Sequence, residues 1–99
     1  MEKIDTNAVD GPVAWRGPNF PGFGGAAVKL RWIDTPYRWH RNDDREFFLV
    51  LSGCVEMRTR KNGRTSSLLL EAGQAAIIEA GEEHVACPRG AARVLVVET

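Results

Sequence analysis

Glu46-Phe47-Phe48-Leu49-Val50-Leu51-Ser52-Gly53-Cys54-Val55-Glu56-Met57-Arg58-Thr59-Arg60-Lys61-Asn62-Gly63-Arg64 sets the architecture of this 99-residue chain. An apolar segment runs into Ser52-Gly53, then an alternating segment runs into Asn62-Gly63. Val55, Met57 and Thr59 fall on one face and Glu56, Arg58 and Arg60 on the other, the period of a half-buried strand. Asn-Gly supplies the positive φ angles of a type I′ turn, so the two flanking segments form a hairpin.

The same grammar extends outward. Val28, Leu30 and Trp32 alternate with Lys29 and Arg31, and Thr35-Pro36 ends that strand. Tyr37 to His40 reads as a short extended piece, and Asn42-Asp43-Asp44-Arg45 as a polar turn. Thr65–Leu70, Ala75–Glu79, His84–Cys87 and Arg93–Glu98 are further strands, broken at Gly73, Gly81 and Pro88-Arg89-Gly90. No window carries a helical period. Many short strands with regular turn signals indicate an all-β sandwich or barrel. Residues 1–25 contain three prolines and five glycines and read as an N-terminal arm, with a short strand at Val13-Ala14-Trp15. Residues 26–99 read as a single domain. Trp15, Phe20 and Phe23 are expected to pack on that domain or on a second subunit.

Bulk properties narrow the function. Thirteen basic and thirteen acidic residues cancel, so no global field favours nucleic acid or an anionic membrane. No apolar stretch approaches the length of a membrane span, and the first residues lack the pattern of a signal peptide. The expected location is the cytoplasm. Cys54 and Cys87 have neither zinc-ribbon nor redox-pair spacing, and free thiols are expected.

The chain has only two histidines, His40 and His84, each near a strand end in a run that also carries an apolar segment and a glycine. With Glu46 they make a two-histidine, one-carboxylate set. Such a set suits Fe, Mn, Ni or Zn as divalent ions and leaves coordination positions open. Phe48 and Val50 share parity with Glu46 and, with Met57, are expected as walls of a substrate pocket. Trp39, adjacent to His40, should face outward. Arg38, Arg58 and Arg60 are candidate anchors for an anionic substrate, against the plainer reading of a solvated strand face. Glu79 is a candidate base, against the plainer reading of an outward carboxylate.

The two histidine-bearing runs resemble the paired motifs of the cupins, small barrels of the jelly-roll type. His40, Glu46 and Gly53 match the first motif, and Gly73, Gly81 and His84 match the second, all with the right gaps. The chain departs from the pattern at Asp34, Asn42, Glu79 and Pro88. The resemblance covers roughly residues 32–99. It implies a cupin-type β-barrel carrying an N-terminal arm, and a divalent metal held by His40, Glu46 and His84. It makes Asn42, where the motif has histidine, a candidate fourth ligand. An amide oxygen is a poorer ligand than imidazole for the later transition metals. The implied activity is metal-dependent chemistry of the dioxygenase or isomerase/lyase type, with Glu46 also acting as a base. The substrate would be a small organic acid, phenolic or sugar-like molecule. The alternative is a non-catalytic ligand-binding or sensing module without a metal. A homodimer is also expected, because the arm and an open sheet present apolar surface and a strand edge.

Overall fold

The computed structural model covers Met1–Thr99 and is built almost entirely from strands. After one 3-10 turn at Thr6–Ala8 come β1 (Asn19–Phe20), β2 (Ala27–Ile33), β3 (Glu46–Ser52), β4 (Cys54–Lys61), β5 (Arg64–Glu71), β6 (Ala75–Ile78), β7 (Glu83–Pro88) and β8 (Ala92–Glu98). They form a five-stranded sheet of order β1-β2-β8-β3-β6 and a three-stranded sheet of order β5-β4-β7. Every pairing is antiparallel.

The turns behave as their residues require. Asn62 and Gly63 both adopt positive φ, 53° and 76°, and join β4 to β5 in an unbroken register ending at Lys61 opposite Arg64. Gly53, with φ of 83°, turns β3 into β4, and a Cβ there would stand 2.5 Å from the Ala91 carbonyl oxygen. Both conditions restrict the position to glycine.

Alternation on facing strands builds the core. Phe48 and Val50 on β3, Val55 and Met57 on β4, Ala76 and Ile78 on β6, and Val94 and Val96 on β8 belong to one buried cluster. Full burial of each larger side chain contributes about 1.5–3 kcal/mol. That cluster fills the centre and one end of the sandwich. The other end, towards the first residues of β3 and the last of β8, carries polar side chains instead.

Strand β2 departs from the sequence expectation. Its alternation is real, but Lys29 and Arg31 face the interior with Ile33, while Val28, Leu30 and Trp32 lie on the outer face. The interior at this end is a polar cavity, so charged side chains are tolerated there. The N-terminal arm lies over part of the outer face. Arg93 donates to the Val9 carbonyl at 2.7 Å, and Gly11 sits against the Trp32 ring.

The arm also extends the sheet edge. Val13-Ala14-Trp15 is a turn rather than the expected strand, and Trp15 has a φ of 64°. Strand pairing begins at Arg16, which bridges Trp32, and continues in β1 against β2. Trp15 packs against the core cluster and donates from Nε1 to the Thr35 carbonyl at 3.0 Å. Phe20 is half-buried and Phe23 is exposed. Cys54 and Cys87 are free thiols.

Gly17 is the tightest point of the arm, because a Cβ there would lie 1.9 Å from the Leu30 carbonyl oxygen. Gly17→Ala is expected to lower stability by about 1–3 kcal/mol, the range for overpacking. Gly25→Ala, with open space and no positive φ, is the matched control. Thermal unfolding of the two variants checks this, and equal midpoints would contradict the observed seating of the arm.

Candidate metal centre

His40 and His84 come together through their backbones. The two residues exchange hydrogen bonds, His40 N–H to the His84 carbonyl at 3.1 Å and the reverse at 2.9 Å. This is a hydrogen-bonded antiparallel pair, so both side chains leave the sheet on the same side. Their ring centroids are 4.2 Å apart. His84 lies at the start of β7 in the smaller sheet, one residue after Glu83, and the extended residues before His40 add a short edge to it. Glu46 comes from the larger sheet, where it opens β3 opposite Ile78. The candidate centre therefore lies where the two sheets converge.

Both imidazoles are oriented alike. His40 Nδ1 lies 2.9 Å from the Arg38 carbonyl, and His84 Nδ1 lies 3.0 Å from the Glu82 carbonyl. A carbonyl oxygen only accepts, so each Nδ1 carries the proton and each Nε2 keeps its lone pair. His84 is 1% exposed, and its Nε2 is buried with no hydrogen-bond partner. Glu46 Oε2 is 3.6 Å away, too far for a hydrogen bond. The ligand atoms of His40, Glu46 and His84 all lie within 4.8 Å of one another. Two donors bound to one ion at about 2.1 Å stand roughly 3–4 Å apart, so small side-chain rotations bring all three into range. An orphaned imidazole nitrogen, a second imidazole with its Nε2 free and a carboxylate together fit a divalent transition metal.

The charges around this set are balanced by contacts. Burial opposes ionisation of Glu46, but contacts to the side chains of His84, Glu98 and Asn42 outweigh it and hold the carboxyl below the usual carboxylate range. Burial likewise opposes protonation of His84, but the Glu46 carboxylate and the Glu82 carbonyl outweigh it and lift its pKa above the ordinary histidine value.

Asn42, expected as a possible fourth ligand, turns its amide NH2 towards two carboxylates. Its Nδ2 donates to Glu46 Oε1 at 3.0 Å and to Glu98 Oε2 at 3.4 Å. Ionised carboxylates only accept hydrogen bonds, so the amide turns its NH2 towards them. Glu98 is paired in turn with Lys29 at 2.6 Å.

The site opens into a cavity of about 460 Å³. His40, Glu46, His84, Asn42 and Phe48 all line it. Val50 and Met57, expected as pocket walls, do not reach it; they lie deeper, in the hydrophobic core. Phe48 reaches the cavity because it follows Glu46 on the same face of β3. Arg38 lines the cavity, whereas Arg58 pairs with Glu56 and Arg60 lies over the Trp39 ring, both outside it. Glu79 is outside too, exposed and paired with Arg45. Trp15, Lys29, Arg31, Tyr37, Arg41 and Glu98 are lining residues the sequence reading did not place there. Glu98 had a signal, since it shares parity with the inward Val94 and Val96. Lys29 and Arg31 had none, because inward charge on an alternating strand contradicts the usual pattern.

No family model matches this sequence, and no curated protein sequence matches it. Solved structures do match. A cupin-2 domain protein from Shewanella frigidimarina is 22% identical with a TM-score of 0.77, over 88% of this chain and 82% of that protein. A cupin superfamily protein from Desulfitobacterium hafniense is 9% identical with a TM-score of 0.78, over 93% and 84%. The hydroxypropylphosphonic acid epoxidase from S. wedmorenis is 18% identical with a TM-score of 0.67; the match covers 75% of this chain but only 43% of the epoxidase. No helix here is long and apolar enough to cross a membrane. With two packed antiparallel sheets and these neighbours, the chain has the cupin fold.

Proposed function

We propose that this protein is a metal-dependent enzyme acting on a small organic molecule, with His40, Glu46 and His84 as the metal ligands. The observation that carries this reading is the buried, unpartnered Nε2 of His84, with Glu46 and His40 close by. An unpaired buried nitrogen costs about 1–3 kcal/mol, which a metal bond removes. A cobalt(II) HppE in complex with substrate shares this fold at 19% identity and a TM-score of 0.66, which supports metal chemistry on such a scaffold. A bound divalent ion supplies Lewis acidity and open positions for a chelating substrate. Fe(II) would suit a dioxygenase; Mn, Ni or Zn would suit an isomerase or lyase. Glu46 holds the metal, and its charge compensates the ion. Phe48 and Trp15 give the cavity apolar walls, the usual make-up of a small-molecule site.

Asn42 is here a positioning residue for Glu46 rather than a fourth ligand. The alternative, a non-catalytic binding module, draws its support from this same orientation, because a motif histidine has given way to an amide donor.

Elemental analysis of untagged protein tests the main reading. Near-stoichiometric divalent metal is expected in the native protein, and its absence in His40→Ala and His84→Ala. Retention of metal by His84→Ala would contradict the ligand assignment. Asn42→Leu separates the two roles of that residue. Loss of a carboxylate-orienting partner lowers metal affinity by about 10–100-fold, whereas loss of a ligand abolishes stoichiometric binding. Competition titration against a chromophoric chelator reads the difference.

We also infer a cytoplasmic homodimer, with residues 26–99 as the barrel domain and residues 1–25 as its arm. The outer face of the larger sheet supports the dimer. Val28, Val97, Phe47 and Ile77 stand side by side on four neighbouring strands, with Phe47 40% and Ile77 54% exposed. Leu95, Leu49 and Ala75 continue the next row. A second copy of the same face would cover this row. Sedimentation equilibrium is expected to give twice the 11.0 kDa chain mass, and Phe47→Glu is expected to give the monomer. A concentration-independent monomer for the native protein would contradict this.

A further inference from the structure

Four cationic side chains line the cavity that holds the candidate metal centre: Lys29, Arg31, Arg38 and Arg41. Two of them have carboxylate partners, one of which Arg60 shares. Lys29 pairs with Glu98 at 2.6 Å, and Arg41 pairs with Glu83 at 3.0 Å. Arg31 has no ion-pair partner. Its guanidinium donates to the carbonyls of Gly17 and Leu30 and to the Asn19 side chain, which hold it in place without cancelling its charge. Burial lowers the Arg31 pKa and the field of Glu98 raises it, the environment of a charge held in the wall without direct neutralisation.

Arg38 is freer still. Its side chain makes neither a hydrogen bond nor an ion pair, and its guanidinium lies over the Tyr37 ring, 5.5 Å from the centroid. The Tyr37 ring meets His40 edge-on at 5.3 Å, and the Arg38 carbonyl is the acceptor that orients His40. Arg38 is therefore tied by ring and backbone to the metal-facing histidine, with all five of its N–H donors unused. A planar fork of unused donors beside a cavity matches a carboxylate or phosphonate group, which accepts two parallel hydrogen bonds.

Charge bookkeeping agrees. Glu46 and Glu98 are the only carboxylates lining the cavity. Lys29 cancels Glu98, and a divalent ion more than cancels Glu46. The cationic surplus of Arg31 and Arg38 then remains for the ligand to offset.

Deepening the metal-dependent reading above, we propose that the cavity selects small organic acids, with Arg38 receiving an acid group of the ligand through a bidentate contact while the rest of the molecule lies towards His40, Glu46 and His84. Neutral sugars and simple phenols are then poor ligands. Arg38 is a specificity-determining residue, exposed at the rim of the cavity.

Calorimetric titration with lactate, malate and 2-hydroxyglutarate tests this. All three share a 2-hydroxy-carboxylate chelate, and the last two add a second carboxylate with different reach. The titrations use zinc-loaded and metal-free native protein, Arg38→Met, and Arg60→Met as a control arginine outside the cavity. At least one diacid is expected to bind the native protein about tenfold more tightly than lactate, the value of one charge-assisted contact. That preference should vanish in Arg38→Met and persist in Arg60→Met. Equal affinity for all three acids, no binding of either diacid, or an undiminished preference in Arg38→Met would overturn the proposal. The metal-free arm separates it from the reading it deepens. If zinc fails to bind but an Arg38-dependent diacid preference remains, the acid subsite stands and the metal centre falls. If zinc binds but no such preference exists, the reverse holds.

Discussion

His40 and His84 exchange both of their backbone hydrogen bonds, and the candidate centre depends on that pairing. It fixes two imidazoles on one side of a sheet edge at a ring spacing of 4.2 Å. The carbonyls of Arg38 and Glu82, each two residues before its histidine, then take the Nδ1 protons. Both Nε2 lone pairs are left facing inward. Without the backbone pair, His40 would belong to a free loop, and holding it in one orientation would cost conformational entropy. The turn at Gly81 braces the same arrangement, since its N–H donates to the Asn42 carbonyl at 2.8 Å.

Glu46 is held from the opposite sheet by different means. It lies at the end of the core where apolar packing stops, 6% exposed, and its charge is stabilised by Asn42 and the neighbouring polar groups. A linked set runs from His84 through Glu46, Asn42 and Glu98 to Lys29, crossing between strands of both sheets. Buried polar networks of this kind add little to stability compared with apolar packing. Their placement beside a cavity, with one imidazole nitrogen left unpaired, fits a site arranged for binding more than for folding. The N-terminal arm contributes Trp15 to the cavity and the carbonyls that hold Arg31, so it is part of the site's wall as well as an edge of the sheet.

Much of the fold could be read from the sequence because its signals are local. Asn62-Gly63, the alternation of Cys54–Arg60 and the glycine at position 53 each specify structure through nearest-neighbour stereochemistry, and β2 to β8 appear where the pattern put them, whereas the expected arm strand at Val13-Ala14-Trp15 is a turn. The convergence of His40, Glu46 and His84 was legible through motif spacing, since spacing on strands converts directly into position and face. Val50 and Met57 were misplaced because parity gives the face but not the depth, and this sandwich is core at one depth and cavity at another. Lys29 and Arg31 were missed for the complementary reason: the rule that apolar residues point inward fails where the interior is a polar cavity and the arm covers the outside. The turn of Asn42's amide towards Glu46 depends on two carboxylates brought together from separate strands, and no sequence pattern records that.

Nitrogen-15 NMR of the histidine rings in metal-free protein, recorded at alkaline pH and then titrated with Zn(II), tests the central claim most directly. The account predicts that His40 and His84 both carry their proton on Nδ1, and that one equivalent of zinc shifts both Nε2 signals together. Protons on Nε2 in the metal-free protein, or Nε2 signals that ignore zinc, would contradict it.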